Sequence, residues 1–243
     1  MKRRFIVIFG RKRTDAVLMQ RVAAYREGGA GPDGATFETG TTPPFRLGDD
    51  DGRRFPPSFL AELPDTAGNL AWLKADAARD LDLFAKNPRR LLDLYFDFIL
   101  VRLDEEAAAL AQRLQPIGGL FRVEDWAFAA LRPMPNAAVF DADDPEAAAP
   151  LVLHDLAFWT GEAVLTIRLR GSGTPLPREA DACERLRDLG VQIVTIPVAE
   201  LAAGTAIFSP ERFPAAFRSF WQGAPYPCSP FRPQGLTQTL ALD

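Results

Sequence analysis

A single histidine, His154, and two well separated cysteines, Cys183 and Cys228, are all this chain has of the softer metal ligands. No CxxC spacing occurs, so neither a zinc site nor a disulfide framework is expected. His154 alone supplies no triad and no metal cage. Also missing is an apolar run long enough to cross a bilayer. The run at residues 5–9 is cut short at Gly10 by Arg11, Lys12 and Arg13, which ends its likeness to a signal peptide. These absences lead to the expectation of a cytoplasmic protein with no membrane partner. There is no basic excess either: a net charge of -4 argues against an all-over positive coat and leaves only a local basic patch as a route to nucleic acid.

What is present is ordinary globular material. An apolar share of 47% over 243 residues is enough to build a core without staples. Residues 5–9 read as a strand, and Thr14 or Asp15 caps a helix running to about residue 26. Arg11, Lys12 and Arg13 beside that helix start suit a phosphate, or make a solvated turn, since the glycine pattern of a P-loop is missing. Residues 28–57 are crowded with Gly, Pro, Thr and Asp and read as a flexible loop. Its Asp49, Asp50 and Asp51 form an acidic turn without the closing glutamate of an EF-hand.

Two helices are expected at 65–85 and 88–114, the second capped by Asn87 with Pro88 in its first turn. Apolar residues from Leu91 to Leu103, Leu100 and Val101 included, cover almost its whole circumference and predict burial on several sides. Asp93 and Asp97 share a face, as a carboxylate pair or as partners of Arg89, Arg90 or Arg102. A further short helix is expected at 121–131. The division is therefore a mainly helical region at 1–118, an α/β core at 119–207, and an aromatic helix with a Pro-rich tail at 208–243.

Residues 151–159, a Thr160-Gly161 turn and residues 163–169 predict a β-hairpin. A helix at 178–189, stopped by Gly190, and a strand at 191–196 complete an α/β layer with a mixed sheet. Arg168 and Arg170 alternate with Ile167 and Leu169, so both arginines share one face as a phosphate-binding stripe, or pair with Glu162, Glu179 or Asp181.

This stretch resembles the restriction-endonuclease-like, or PD-(D/E)XK, superfamily, in particular its very-short-patch-repair-like branch. The text that carries the resemblance is His154-Asp155-Leu156-Ala157-Phe158-Trp159, Ile167-Arg168-Leu169-Arg170-Gly171 and Arg185-Leu186-Arg187-Asp188-Leu189-Gly190. The resemblance implies an endonuclease-like fold in which Asp155 is the first Mg²⁺ ligand and Glu124 or Asp125 an auxiliary carboxylate. The remaining ligand positions fall on Arg168 and Arg170, and two guanidinium groups repel a divalent cation. No catalytic residue, metal or cofactor is therefore expected. Mg²⁺ returns only if ligands have migrated to Glu124, Asp125, Asp141, Asp143 or Asp155.

Phe208, Phe213, Phe217, Phe220 and Trp221 recur at near-helical spacing. They are expected either to pack on the chain's own sheet or, for Phe213, Phe217, Phe220 and Trp221, to receive a protein partner. Three functions follow: a non-catalytic nuclease-like module binding protein or nucleic acid, an active nuclease with migrated carboxylates, or an accessory subunit with no nucleic-acid role.

Overall fold

The structure, a computed structural model, describes residues 3–10, 15–26, 36–40, 42–49, 66–79, 81, 85–117, 121–143, 153–171, 177–209, 211–213, 221, 224 and 227. Arg11, Lys12, Arg13, Asp50, Asp51, Phe217, Phe220 and the side chain of Glu179 lie outside the described residues. The fold is mixed α/β around one mixed sheet. In chain order its strands are β1 (Phe5–Ile8), β2 (Thr36–Glu38), β3 (Met134–Asp141), β4 (Leu153–Trp159), β5 (Val164–Arg170) and β6 (Gln192–Pro197). Across the sheet the order is β2-β1-β3-β4-β5-β6. All neighbours are antiparallel except β5 and β6, which run parallel and are joined through a helix.

The helices are α1 (Asp15–Arg26), α2 (Thr66–Arg79), α3 (Lys86–Leu114) and α4 (Pro177–Asp188), with 3-10 segments at Val123–Ala129 and Val198–Phe208. Alternation along the strands separates the two faces. Ala157, Trp159 and Val164 join Phe5, Val7 and Leu186 of α4, whereas Leu156, Phe158 and Ile167 join the large cluster around α3. Ile6 and Ile8 pack with Leu18 and Val22 of α1 on the side away from Phe5 and Val7. The sheet thus has α4 on one face and α1 and α3 on the other. It draws strands from both sides of residue 118.

Four local expectations are corrected. The 28–57 stretch contains β2, because Thr39 closes a two-way exchange with Phe5: the Phe5 amide donates to the Thr39 hydroxyl at 2.7 Å, and the Thr39 amide donates to the Phe5 carbonyl at 2.9 Å. Farther on, Arg46 bridges to Leu131. Helix α3 begins at Lys86 with Ala85 as its N-cap and no side-chain cap bond, so Asn87 lies inside the first turn rather than capping it. Leu100 and Val101 are 52% and 42% exposed, which leaves one stripe of α3 open to solvent. Asp93 pairs with Lys74 of α2 at 2.9 Å, while Arg102 pairs with Glu105 and Glu106 one turn on.

One break in regularity matters for the site. Met134 and Ala137 both join the α4-side cluster although an ideal strand would point them to opposite faces. Between them Asn136 adopts φ 48, in the left-handed region that residues other than glycine seldom occupy. The register places Asn136 between the pairs Pro135↔Leu156 and Ala137↔His154, opposite Asp155. Strand β4 changes face over the same stretch, with Leu153 on the α1 side and Ala157 on the α4 side. The sheet is most irregular at its centre.

Candidate functional site

The centre of that irregularity holds the sequence-predicted carboxylate. Asp155 is half-buried on β4, and its Oδ2 accepts the backbone N–H of Leu169 at 2.6 Å. The β4–β5 ladder ends at Leu156↔Ile167, so the side chain supplies beyond that pair the acceptor that a strand carbonyl supplies before it. The next pair along the same register is Asp155 with Arg168.

Arg168 is half-buried on β5 and donates from Nη1 to Cys183 Sγ of α4 at 3.0 Å. Cys183 is a buried free thiol. Its neighbours Ala182 and Leu186 are buried too, which marks the face that α4 turns to the sheet. Arg170, two residues beyond Arg168 and at the end of β5, is exposed. Leu169 packs toward the α3 cluster on the other side.

His154 is 1% exposed, and among the described residues neither ring nitrogen has a hydrogen-bond partner. Burial, reinforced by the nearby positive charge of Arg168, pushes its pKa down to about 3. The imidazole is therefore neutral at physiological pH.

The other sequence candidates are not brought to this point. Asp125 accepts the Arg122 amide at 2.8 Å and so caps its own 3-10 turn; Trp126 and Phe128 of that turn pack in the α3 layer, and Glu124 is exposed. Asp141 is buried at the far end of β3, where Arg3 donates to it from Nε and Nη2 at 2.9 and 2.7 Å. The side chain of Asp143 accepts from the Arg4 amide and guanidinium, and these bonds hold its carboxyl below the usual range. At about 3.3 Å per residue, Asp141 is roughly 16 Å along β3 from the position opposite Asp155. Glu162 sits in the hairpin turn. Among the described residues no group of three or more His, Cys, Asp or Glu side chains is placed to hold a metal ion. The residues around Asp155 do not fit Mg²⁺, which needs several oxygen donors: among the described residues one carboxylate, already bonded to an amide, is the oxygen donor here, and the next position in the strand register is an arginine.

Two other arrangements lie away from this point, and the first is one of the two expected for the aromatic residues. Phe213 and Trp221 are closed off by the chain's own core: Phe213 stacks on Phe208 at 5.4 Å, and Trp221 meets Trp126 edge-on at 6.4 Å. Arg113 of α3 lies 4.2 Å over the Trp126 ring and donates to the carbonyls of Trp221 and Ala224. The second is a buried ion cluster. Arg46, Arg132 and Asp76 are all under 8% exposed. The Arg46 guanidinium donates to the Ala129 carbonyl, and Arg132 donates to the Asp49 carbonyl at 3.3 Å and lies 3.9 Å from the Asp76 carboxylate. Asp49 accepts the Arg46 amide at 2.6 Å, and burial raises its carboxyl pKa against the opposing bond and charge of Arg46 and the charge of Arg132. Nothing in the sequence separates these arginines from surface ones. The only local cue to Cys183 is its place beside Ala182 on the apolar face of α4.

No family model, no curated protein and no solved structure matches this chain.

Proposed function

We propose that this protein is a non-catalytic, nuclease-like module that binds an anionic partner, nucleic acid foremost, with the restriction-endonuclease-like core as its scaffold. One observation carries the reading: the Asp155 carboxylate is bonded to the Leu169 amide, while Arg168 takes the adjoining position where a nuclease needs a second ligand. A fixed positive charge there disfavours Mg²⁺ and attracts phosphate. Arg170, exposed at the end of the same strand, is the residue we assign to contact with the ligand, with Arg11, Lys12 and Arg13 as further basic candidates from the sequence. The burial of Phe213 and Trp221 favours this surface over the aromatic tail as the binding face.

The test is fluorescence anisotropy with a labelled single- and double-stranded oligonucleotide, alongside a nicking assay in Mg²⁺ and Mn²⁺. Salt-dependent binding that weakens on Arg170→Glu, without cleavage, is the expected result. Cleavage abolished by Asp155→Ala would return the active-nuclease reading to first place. No oligonucleotide binding at low salt would favour the accessory-subunit reading, for which the exposed Leu100 and Val101 on α3 are the supporting observation.

A further inference from the structure

We infer that this chain forms a two-fold dimer in which β6 of one copy pairs antiparallel with β6 of the other, so that the sheet continues across the interface. The two edges of the sheet are finished differently. β2 is three residues long, and its Glu38 is held by Arg4. A short, charged edge discourages further pairing. β6 is six residues long, Gln192-Ile-Val-Thr-Ile-Pro197, and carries no charge. Among the described residues it pairs with β5 alone, so the N–H and C=O groups on its outer side have no ladder partner there. Thr195, in the middle of the strand, is exposed, and Ile193 and Val194 are half-buried. Residues 193–196 are all β-branched, which suits the addition of another strand.

The helix beside this edge points to a second copy as the occupant. α4 straddles β5 and β6: Cys183 accepts from Arg168 of β5, and Ala182 and Cys183 pack with Ile193 of β6. Paired strands lie about 4.8 Å apart, so a two-fold axis perpendicular to the sheet and half a spacing outside β6 sets α4 and its copy about 10 Å apart, where packed helices sit. The same axis runs the two helices antiparallel. Along α4 the exposed charges change sign: Asp181 and Glu184 come first, then Arg185 and Arg187, with Asp188 last. None of these side chains forms an ion pair among the described residues. Antiparallel contact lays the acidic half of one helix along the basic end of the other, a match that a second copy supplies by symmetry. The edge pairing is independent of Arg170 and of any nucleic acid it contacts.

Sedimentation velocity over a concentration series tests this on the whole chain, together with hydrogen exchange of the β6 amides. The expected result is a dimer whose β6 amides gain protection as it forms, while those of β2 do not. Thr195→Lys alters an exposed site in the monomer but brings two added cations together near the axis of the dimer, and it should weaken dimerisation at least about tenfold with the fold retained. Arg187→Glu should weaken it as well, and adding Asp181→Arg to Arg187→Glu should recover part of the loss. Thr36→Lys, at the β2 edge, should leave it unchanged. A monomer at every concentration overturns the inference, and so does a dimer without added protection of β6. A dimer that both Thr195→Lys and Arg187→Glu leave intact overturns it too. If Thr195→Lys does not fold, the α4 charges decide: no loss in Arg187→Glu and no recovery in the double variant overturn the inference.

Discussion

Two groups of buried polar side chains sit on this sheet and differ in how their charges are met. Near α2, Arg46 and Arg132 face Asp49, Asp76 and two backbone carbonyls, so cations and anions answer one another. Beneath α4, Arg168 donates to the Cys183 thiol, Asp155 accepts the Leu169 amide, and the buried His154 imidazole has neither nitrogen hydrogen-bonded among the described residues. The first arrangement is what a stable interior requires of buried charge. In the second, His154 is a buried polar side chain with no hydrogen-bond partner among the described residues, and such departures concentrate where a structure serves something besides its own stability.

The comparison breaks most sharply at the matched cluster. Arg132→Ala takes a buried guanidinium from Asp76, which keeps Arg79 as a partner, from the Asp49 carbonyl and from the face of the Phe45 ring, with an expected loss of about 3–5 kcal/mol in urea denaturation. A loss below about 1 kcal/mol would show that water reaches the cluster and that it behaves like a surface pair.

The buried imidazole is tested with acid. His154 takes a proton near pH 6.5 in the unfolded chain and only near pH 3 in the folded one. Protons therefore bind preferentially to the unfolded chain as the pH falls through that window. The stability held above pH 6.5 is lost on the way down, by roughly 4 kcal/mol if the whole window is crossed. His154→Phe removes this dependence. Equal acid profiles for the two proteins would mean that His154 reaches water when it titrates.

A smaller effect is expected at the hairpin that carries the site. Gly161 has φ +87, and a Cβ there would come within 2.8 Å of Pro44 Cγ. Gly161→Ala should lower stability by about 1–3 kcal/mol, from the left-handed backbone and the clash together, whereas Gly190→Ala meets only the backbone penalty because nothing lies within 4 Å of its Cβ. The smallest change is Arg170→Glu, which should move stability by no more than about 0.5 kcal/mol while lowering oligonucleotide affinity.

Much of the scaffold was legible in the chain. The β4–β5 hairpin follows from two apolar runs around Thr160-Gly161, and α4 ends where Gly190 adopts φ +93. The mixed character of the sheet follows from the helix between β5 and β6. The missing pieces are non-local. Thr39 recruits β2 by bonding to Phe5, a contact no local pattern encodes. The central site was half legible: Asp155 and Arg168 stand out as charges in apolar strands, but the Leu169 amide, the Cys183 sulfur and the left-handed Asn136 become relevant only through pairing register. Arg46 and Arg132 were invisible for the same reason, since their burial depends on α2 and on the turn at Asp49.

The pairing of β1 with β3 joins Phe5 to Asp141 and Ile8 to Ala138. During synthesis the first strand, Phe-Ile-Val-Ile, therefore emerges long before its central neighbour exists, with only the short β2 to pair with earlier. A high contact order slows folding, and an apolar strand left waiting invites mispairing with another chain. Production of this protein should accordingly be more sensitive to temperature and chaperone supply than the stability of the finished fold implies.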